Sequence, residues 1–296
     1  MSPVADTVID AEGIVVKFGD FTAVNDIDIH VHEGEIFGFL GPNGAGKTTT
    51  VKVLTTMMKP TAGEVSIGGF PAREEPAKAR ELIGVVQQHI ALDKDISVRE
   101  NIICRALLHK IPRNEIETRM NELCDAIGLT PYLDKIANNL SGGWKRKVAI
   151  ISALMHYPKV LFLDEPTAGL DTQSRHMLWD MIRIMNKRGT TVFITTHYMD
   201  EAESLCDRVS IIERGKIKDT GTPAELCSRL GKFTVEYDSE SGKREYRFFP
   251  DRESANQFYA TVEDRNASLR GTHLEDVFLE ETGRNTMKVL EKALRI

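Results

Sequence analysis

The chain has 296 residues, 41% apolar and 28% charged, which fits a globular protein and excludes a disordered, collagen-like or coiled-coil one. Thirty-eight basic residues stand against 44 acidic ones, a net charge of -6, which argues against a generally basic nucleic-acid-binding surface; no nucleic-acid partner is expected. The longest apolar runs, residues 148–155 and 36–40, fall far short of the roughly 20 residues that cross a bilayer, so no membrane span is expected. The N-terminus shows neither the basic nor the apolar region of a secretory signal.

Residues 8–17 and 23–32 alternate apolar and polar side chains, the pattern of half-exposed antiparallel strands. His30 and His32, two apart on the second stretch, have no third ligand nearby and read as solvated imidazoles on one strand face. Residues 35–40 form a short apolar run that ends in a glycine-rich loop. Helical patterning follows over 47–57, 98–108, 113–127 and 143–156, with Pro112 and Pro131 as punctuation. Residues 160–163 and 192–194 read as buried strands on either side of a helix over 172–187. This alternation predicts an α/β domain with a mainly parallel sheet. After Gly231 come two strands, 232–237 and 244–249, a helix over 251–260 capped by Asp251, and another over 274–281. A boundary near residue 231 leaves a small C-terminal appendage. Cys104, Cys124, Cys206 and Cys227 form no CxxC pair and are expected to be reduced and mostly buried.

Gly41-Pro42-Asn43-Gly44-Ala45-Gly46-Lys47-Thr48 fits G-x-x-x-x-G-K-[ST], placed after an apolar strand and at the start of a helical stretch. Glycines let the backbone turn tightly, so that consecutive N–H groups face a phosphate, and the helix start adds partial positive charge. Lys47 supplies a point charge for the β- and γ-phosphates. Thr48 supplies a hydroxyl for Mg²⁺, and Thr49 can reach an α-phosphate. Residues 160–165 form a second apolar strand that ends in two carboxylates. Asp164 takes the place of the acid that holds the Mg²⁺ shell in phosphate-loop NTPases, and Glu165 stands where it can orient and polarise the attacking water. Leu140-Ser141-Gly142-Gly143, ahead of the helical stretch, is a second helix start suited to an anion.

With these motifs the sequence resembles the ATP-binding-cassette ATPases over residues 7 to about 230. The family order of phosphate loop, glutamine loop, signature, Asp-Glu pair, Leu-Asp loop and switch histidine reads here as 41–48, Gln88, 140–143, Asp164-Glu165, 168–171 and His197. The resemblance implies ATP and Mg²⁺ as cofactors. It gives Phe18, 23 residues before Gly41, the place of the aromatic that stacks on adenine. Gln88, beside Gln87, takes the place of the glutamine that senses Mg²⁺ and the water. Ser141 and Gly143 contact the phosphate of a second protomer's nucleotide, Asp171 links the two protomers' sites, and His197 contacts the γ-phosphate and holds Glu165. Two positions depart from the usual pattern: Trp144 replaces Gln after the signature, and Ala168 replaces Ser in the Leu-Asp loop. The implied fold is a phosphate-loop NTPase core over 1–231, with an antiparallel β subdomain and a helical subdomain over about 89–157. A small α+β accessory domain over 232–296 follows.

The resemblance further implies a head-to-tail homodimer that closes on ATP and drives a separate integral-membrane permease from the cytoplasmic face of the membrane. The permease is expected to dock around 88–109, with Leu92, Ile96, Val98 and Ile102 as apolar candidates. Residues 196–203, 222–226 and 274–279 resemble ATPases of two-component exporters of the daunorubicin-resistance type, serving drugs, lipids or polysaccharide-like substrates. Importer ATPases and non-transport cassette ATPases are the alternatives. Among the latter, DNA-repair types carry long heptad insertions, whereas only 92 residues separate Thr48 from Ser141 here. Ribosome-acting types carry two cassettes, whereas this chain has one.

Overall fold

The structure, a computed structural model, describes residues 7–239, 242–264 and 266–282; the appendage beyond residue 282 lies outside the described residues. Alternating apolar residues make β1 (Thr7–Phe18) and β2 (Phe21–His32) two-faced strands that pair antiparallel. β3 (Ile36–Leu40) is buried along its whole length and runs through the glycine-rich loop into α1 (Lys47–Leu54). β4 (Ala62–Ile67) and β5 (Phe70–Pro71) complete an antiparallel sheet in the order β2-β1-β4-β5. α2 (Pro76–Glu81) leads to β6 (Ile83–Val86), after which come α3 (Val98–Leu108), α4 (Arg113–Ala126) and α5 (Gly142–Leu154). The core closes with β7 (Val160–Asp164), α6 (Thr172–Lys187), β8 (Thr191–Thr196), α7 (Met199–Leu205), β9 (Arg208–Glu213), β10 (Lys216–Gly221) and α8 (Pro223–Leu230).

The second sheet has the order β10-β9-β3-β8-β7-β6, parallel throughout except for the edge strand β10. Successive side chains point to opposite faces. Phe37 and Phe39 therefore face the antiparallel sheet and α1, while Ile36 and Leu40 face the helical side. On the first face the Phe193 ring lies 5.4 Å from Phe162, 5.6 Å from Phe37 and 5.8 Å from Phe39, centroid to centroid. On the second, Leu161, Leu163, Val192 and Ile194 pack with residues of α3, α5 and α6.

Helices α1 and α5 stop at Leu54 and Leu154, short of residues 57 and 156. The chain leaves them through left-handed backbone at Thr56 (φ 59°) and Tyr157 (φ 53°). Val98 and Ile102 do not belong to a docking surface: both are completely buried, on the face of α3 that packs into the core against α5 and α4. Leu92 and Ile96 remain partly exposed. All four cysteines are free thiols, with Cys124, Cys206 and Cys227 buried and Cys104 exposed. His30 lies at the surface with its Nδ1 2.6 Å from Asp10, and no cluster of three or more His, Cys, Asp or Glu suited to a metal occurs among the described residues.

Past Gly231, β11 (Phe233–Asp238) pairs antiparallel with β12 (Arg244–Phe249) and β13 (Ser268–Gly271), and α9 (Arg252–Tyr259) covers this sheet. The final described helix, α10 (Leu274–Glu281), lies on α7 and α8. Its Leu274, Val277 and Phe278 share one apolar core with Ala202, Leu205, Leu226 and Cys227. Arg270 grips Asp276 with two bonds of 2.6 and 2.8 Å. Burial alone would push the Asp276 carboxyl up; the Arg270 guanidinium and the His273 N–H outweigh it and hold the group below its ordinary range.

Leu274 is fully buried in this shared core. Leu274→Ala should lower the unfolding free energy of the whole chain by about 2–5 kcal/mol. A single urea transition is expected, followed alike by circular dichroism and by the fluorescence of Trp144 and Trp179, which lie outside the appendage. A separate early transition seen by circular dichroism alone would show that α10 is not part of the core.

Candidate active site

Parallel strands deliver their carboxyl ends to one edge, and four of them carry the residues singled out above. The loop after β3 is pressed against its neighbours: a Cβ on Gly41 would lie 2.4 Å from the Ile212 carbonyl, and one on Gly46 2.7 Å from that of Ala23. Gly46 also has φ 110°, which an L side chain rarely adopts. The first intrahelical bond of α1 runs from the Thr50 N–H to Gly46, so the preceding amides have no carbonyl within the helix to bond. Lys47, only 4% exposed, donates from Nζ to the carbonyls of Gly41 (2.7 Å) and Pro42 (3.2 Å). Asn43 and Gly44 form the exposed rim of the loop, and Thr49 is half-buried.

Thr48 donates its hydroxyl to Asp164 at 3.1 Å, and Thr195 donates to the other oxygen of the same carboxylate at 2.5 Å. Thr195 also receives the Glu165 N–H, at 3.0 Å on its hydroxyl and 3.1 Å on its carbonyl. These bonds hold Glu165 in left-handed backbone, φ 46°, a strained state for a non-glycine residue. The nearly buried Glu165 side chain is where the site converges. Its Oε1 lies 3.1 Å from Lys47 Nζ and 3.3 Å from His197 Nδ1, and its Oε2 accepts Gln88 Nε2 at 3.2 Å. The His197 contact is close but off the hydrogen-bond line, and that ring packs on Tyr198. Gln87 turns away, its amide 3.7 Å from the Met57 sulfur, so of the two it is Gln88 that reaches Glu165.

Ser141, Gly143 and Asp171 form a second group. Ser141 occupies the N-cap of α5 with its hydroxyl not used as a cap. A Cβ on Gly143 would stand 2.9 Å from the Ser174 hydroxyl, and Ser174 is bonded through N–H and hydroxyl to Asp171, the N-cap of α6. No hydrogen bond or ion pair among the described residues joins this trio to Lys47 or Glu165. Phe18, 51% exposed, stands at the end of β1 opposite Phe21. Trp144 turns back onto the Tyr132 ring at 4.1 Å, with Lys147 Nζ 4.3 Å from its own ring centre. Trp179 is buried and donates to the fully buried Glu201 at 3.0 Å; burial pushes the Glu201 carboxyl up.

Two contributors escaped the sequence reading. Thr195 was available as a hydroxyl two residues before His197. Arg146, 4% exposed, donates to the carbonyls of Gln87 (2.8 Å) and Gln88 (3.0 Å), and its only advance sign was a charge on an otherwise apolar face of α5. A cavity of about 350 Å³ opens beside this loop, lined among others by Met57, Ile90, Leu92, Asn101 and Arg105.

The model of the ABC transporter family matches residues 24–168. The chain is 39% identical to the linearmycin resistance ATP-binding protein LnrL of Bacillus subtilis, across 80% of this chain and 76% of that protein. It is 38% identical to the Nod factor export ATP-binding protein I of Burkholderia thailandensis, across 93% of this chain and 97% of that one. Among solved structures, cbiO1 of Clostridium perfringens, part of the ABC transporter complex cbiONQ, superposes with a TM-score of 0.70 at 32% identity, over 75% of this chain and 90% of that chain. A relative matched along nearly its whole length, joined to a phosphate loop and an acid pair meeting at one sheet edge, leaves one family: this chain belongs to the ATP-binding-cassette transporter ATPases and hydrolyses ATP.

Proposed function

We propose that this ATPase powers an exporter whose membrane-spanning permease is a separate chain, and that it works as a homodimer bound to the cytoplasmic face of the membrane. The near full-length similarity to an export ATP-binding protein supports export over import. The convergence of Lys47, Gln88 and His197 on Glu165 is the observation that carries the chemistry. We assign residues 1–231 to the nucleotide-binding domain, with the helical subdomain over about 89–157, and 232–296 to an accessory region.

In this reading Phe18 stacks on adenine, and the loop amides with Lys47, Thr48 and Thr49 cradle the phosphates. Thr48 and Asp164 offer hard oxygen donors side by side, which suits Mg²⁺, an ion that takes few protein ligands; the Gln88 amide oxygen is a third. Bound there, Mg²⁺ offsets the charge on the β- and γ-phosphate oxygens. Glu165 orients and polarises the attacking water. Lys47 and His197, both within 3.3 Å of its Oε1, stand where they can also donate to a γ-phosphate. Ser141 and Gly143 receive the γ-phosphate of the nucleotide held by a second copy, and Asp171 links the two sites. The cavity beside Gln87 accepts the permease, with Leu92 at its rim.

Glu165→Gln keeps the shape and removes the base. It should lower kcat by about 100-fold or more while ATP still binds. With MgATP this variant should elute as a dimer, and adding Ser141→Arg should return it to a monomer that still binds ATP. A Glu165→Gln protein that stays monomeric at saturating MgATP contradicts the shared site.

Leu92→Asp tests the docking surface. Leu92 is half-buried and packs against the core, so Arg105→Glu, at an exposed residue of the same cavity lining, is the paired variant. Co-expressed with the permease, both variants should be lost from washed membranes, and the ATPase rate of isolated Arg105→Glu should stay within about twofold, because exposed surface substitutions cost little. An unchanged membrane-bound fraction would refute docking at this cavity. ATP-driven accumulation of substrate in inside-out vesicles is expected of an exporter, and ATP-driven release from them would mark an importer.

A further inference from the structure

We infer that Arg146 is a positioning residue, which ties the start of α5 to the loop carrying Gln88 and so sets the seat of Glu165. The inference rests on the roles given above to Gln88 and Glu165. Arg146 lies three residues after Gly143, within the first turns of the signature helix. Its guanidinium is taken out of water, a costly move unless polar partners replace the lost hydration. Those partners are two adjacent carbonyls, of Gln87 at 2.8 Å and Gln88 at 3.0 Å. Among the described residues it forms no ion pair, and its Nε has no hydrogen-bond partner. Asp164 is the carboxylate whose charge acts on it across the site.

A residue needed only to fill this space could be apolar. A planar fork gripping consecutive carbonyls does something more specific: it fixes two successive peptide planes in a segment between β6 and α3 that lacks regular structure. With its backbone fixed, Gln88 keeps its amide 3.2 Å from Glu165 Oε2. The helix that begins at Ser141 is thereby tied to the carboxylate that handles the water. A shift of α5 relative to the sheet must drag the Gln88 backbone, or break two partly buried bonds made by a charged donor.

The test is a double-mutant cycle in the full chain, reading kcat and KM for MgATP and the affinity for a fluorescent ATP analogue. Arg146→Met removes both bonds, and Arg146→Lys keeps charge and stem but loses the fork. Each should lower kcat by about tenfold or more, with KM and analogue affinity within about twofold, since misplacement of a reacting group acts on the chemical step. Gln88→Ala should lower kcat by itself, and adding either Arg146 variant should then change kcat little further. If the Arg146 variants lower kcat by the same factor with and without Gln88, or not at all, the tether is refuted. If Gln88→Ala alone leaves kcat unchanged, the role of Gln88 fails and the tether falls with it. Should Arg146→Met not fold, the Arg146→Lys arm decides the question.

Discussion

A parallel sheet carries every strand end of one polarity to the same edge, and this molecule depends on that constraint. β3, β6, β7 and β8 run side by side in one direction, so the residues that follow them are neighbours although they lie up to 156 positions apart, from Gly41 to His197. No local sequence preference could bring them together. The register does it, pairing Leu40 with Thr196 and Asp164 with Thr195, and the aromatic seam around Phe193 keeps that register in place. A slip of one residue in β8 would turn Thr195 away from Asp164 and Phe193 out of the seam together.

The edge so formed concentrates charge at low exposure. Lys47, Asp164 and Glu165 are each less than a tenth exposed, and each has a partner on a different strand end. Buried charges are tolerated when paired and further hydrogen-bonded, and removing one partner strands the others. Glu165 adds the cost of left-handed backbone, held by two bonds to Thr195. A strained acid fixed from behind by a buried threonine is pre-organised: its carboxylate has little freedom to lose when a substrate arrives.

Much of this was legible in the sequence where the signal is local. The glycine pattern at 41–48 specifies a loop into which side chains do not fit, and the apolar run ending in Asp164-Glu165 specifies a buried strand with acids at its tip. Two things were not legible. Val98 and Ile102 carry the same apolar character as Leu92, and only the packing of α3 separates core from surface. Strands β9 and β10 give little signal: β9 is buried along nearly its whole length and so does not alternate, and β10 is a polar edge. Arg146 belongs with these, since a charged residue on a helix ordinarily faces water.

The sharing of one core between α10, α7 and α8 bears on how such proteins diversify. A recombination joint placed after Gly231 would import a foreign tail, and Ala202, Leu205, Leu226 and Cys227 would lose the cover of Leu274, Val277 and Phe278. Only tails that present matching apolar residues at that spacing could be accepted without loss of stability. Since α7 begins two residues after His197, the tail and the segment bearing that histidine are inherited as one packed unit. The C-terminal appendage is therefore constrained to change in step with the cassette it covers, and the freedom to vary lies in the outer faces of its sheet.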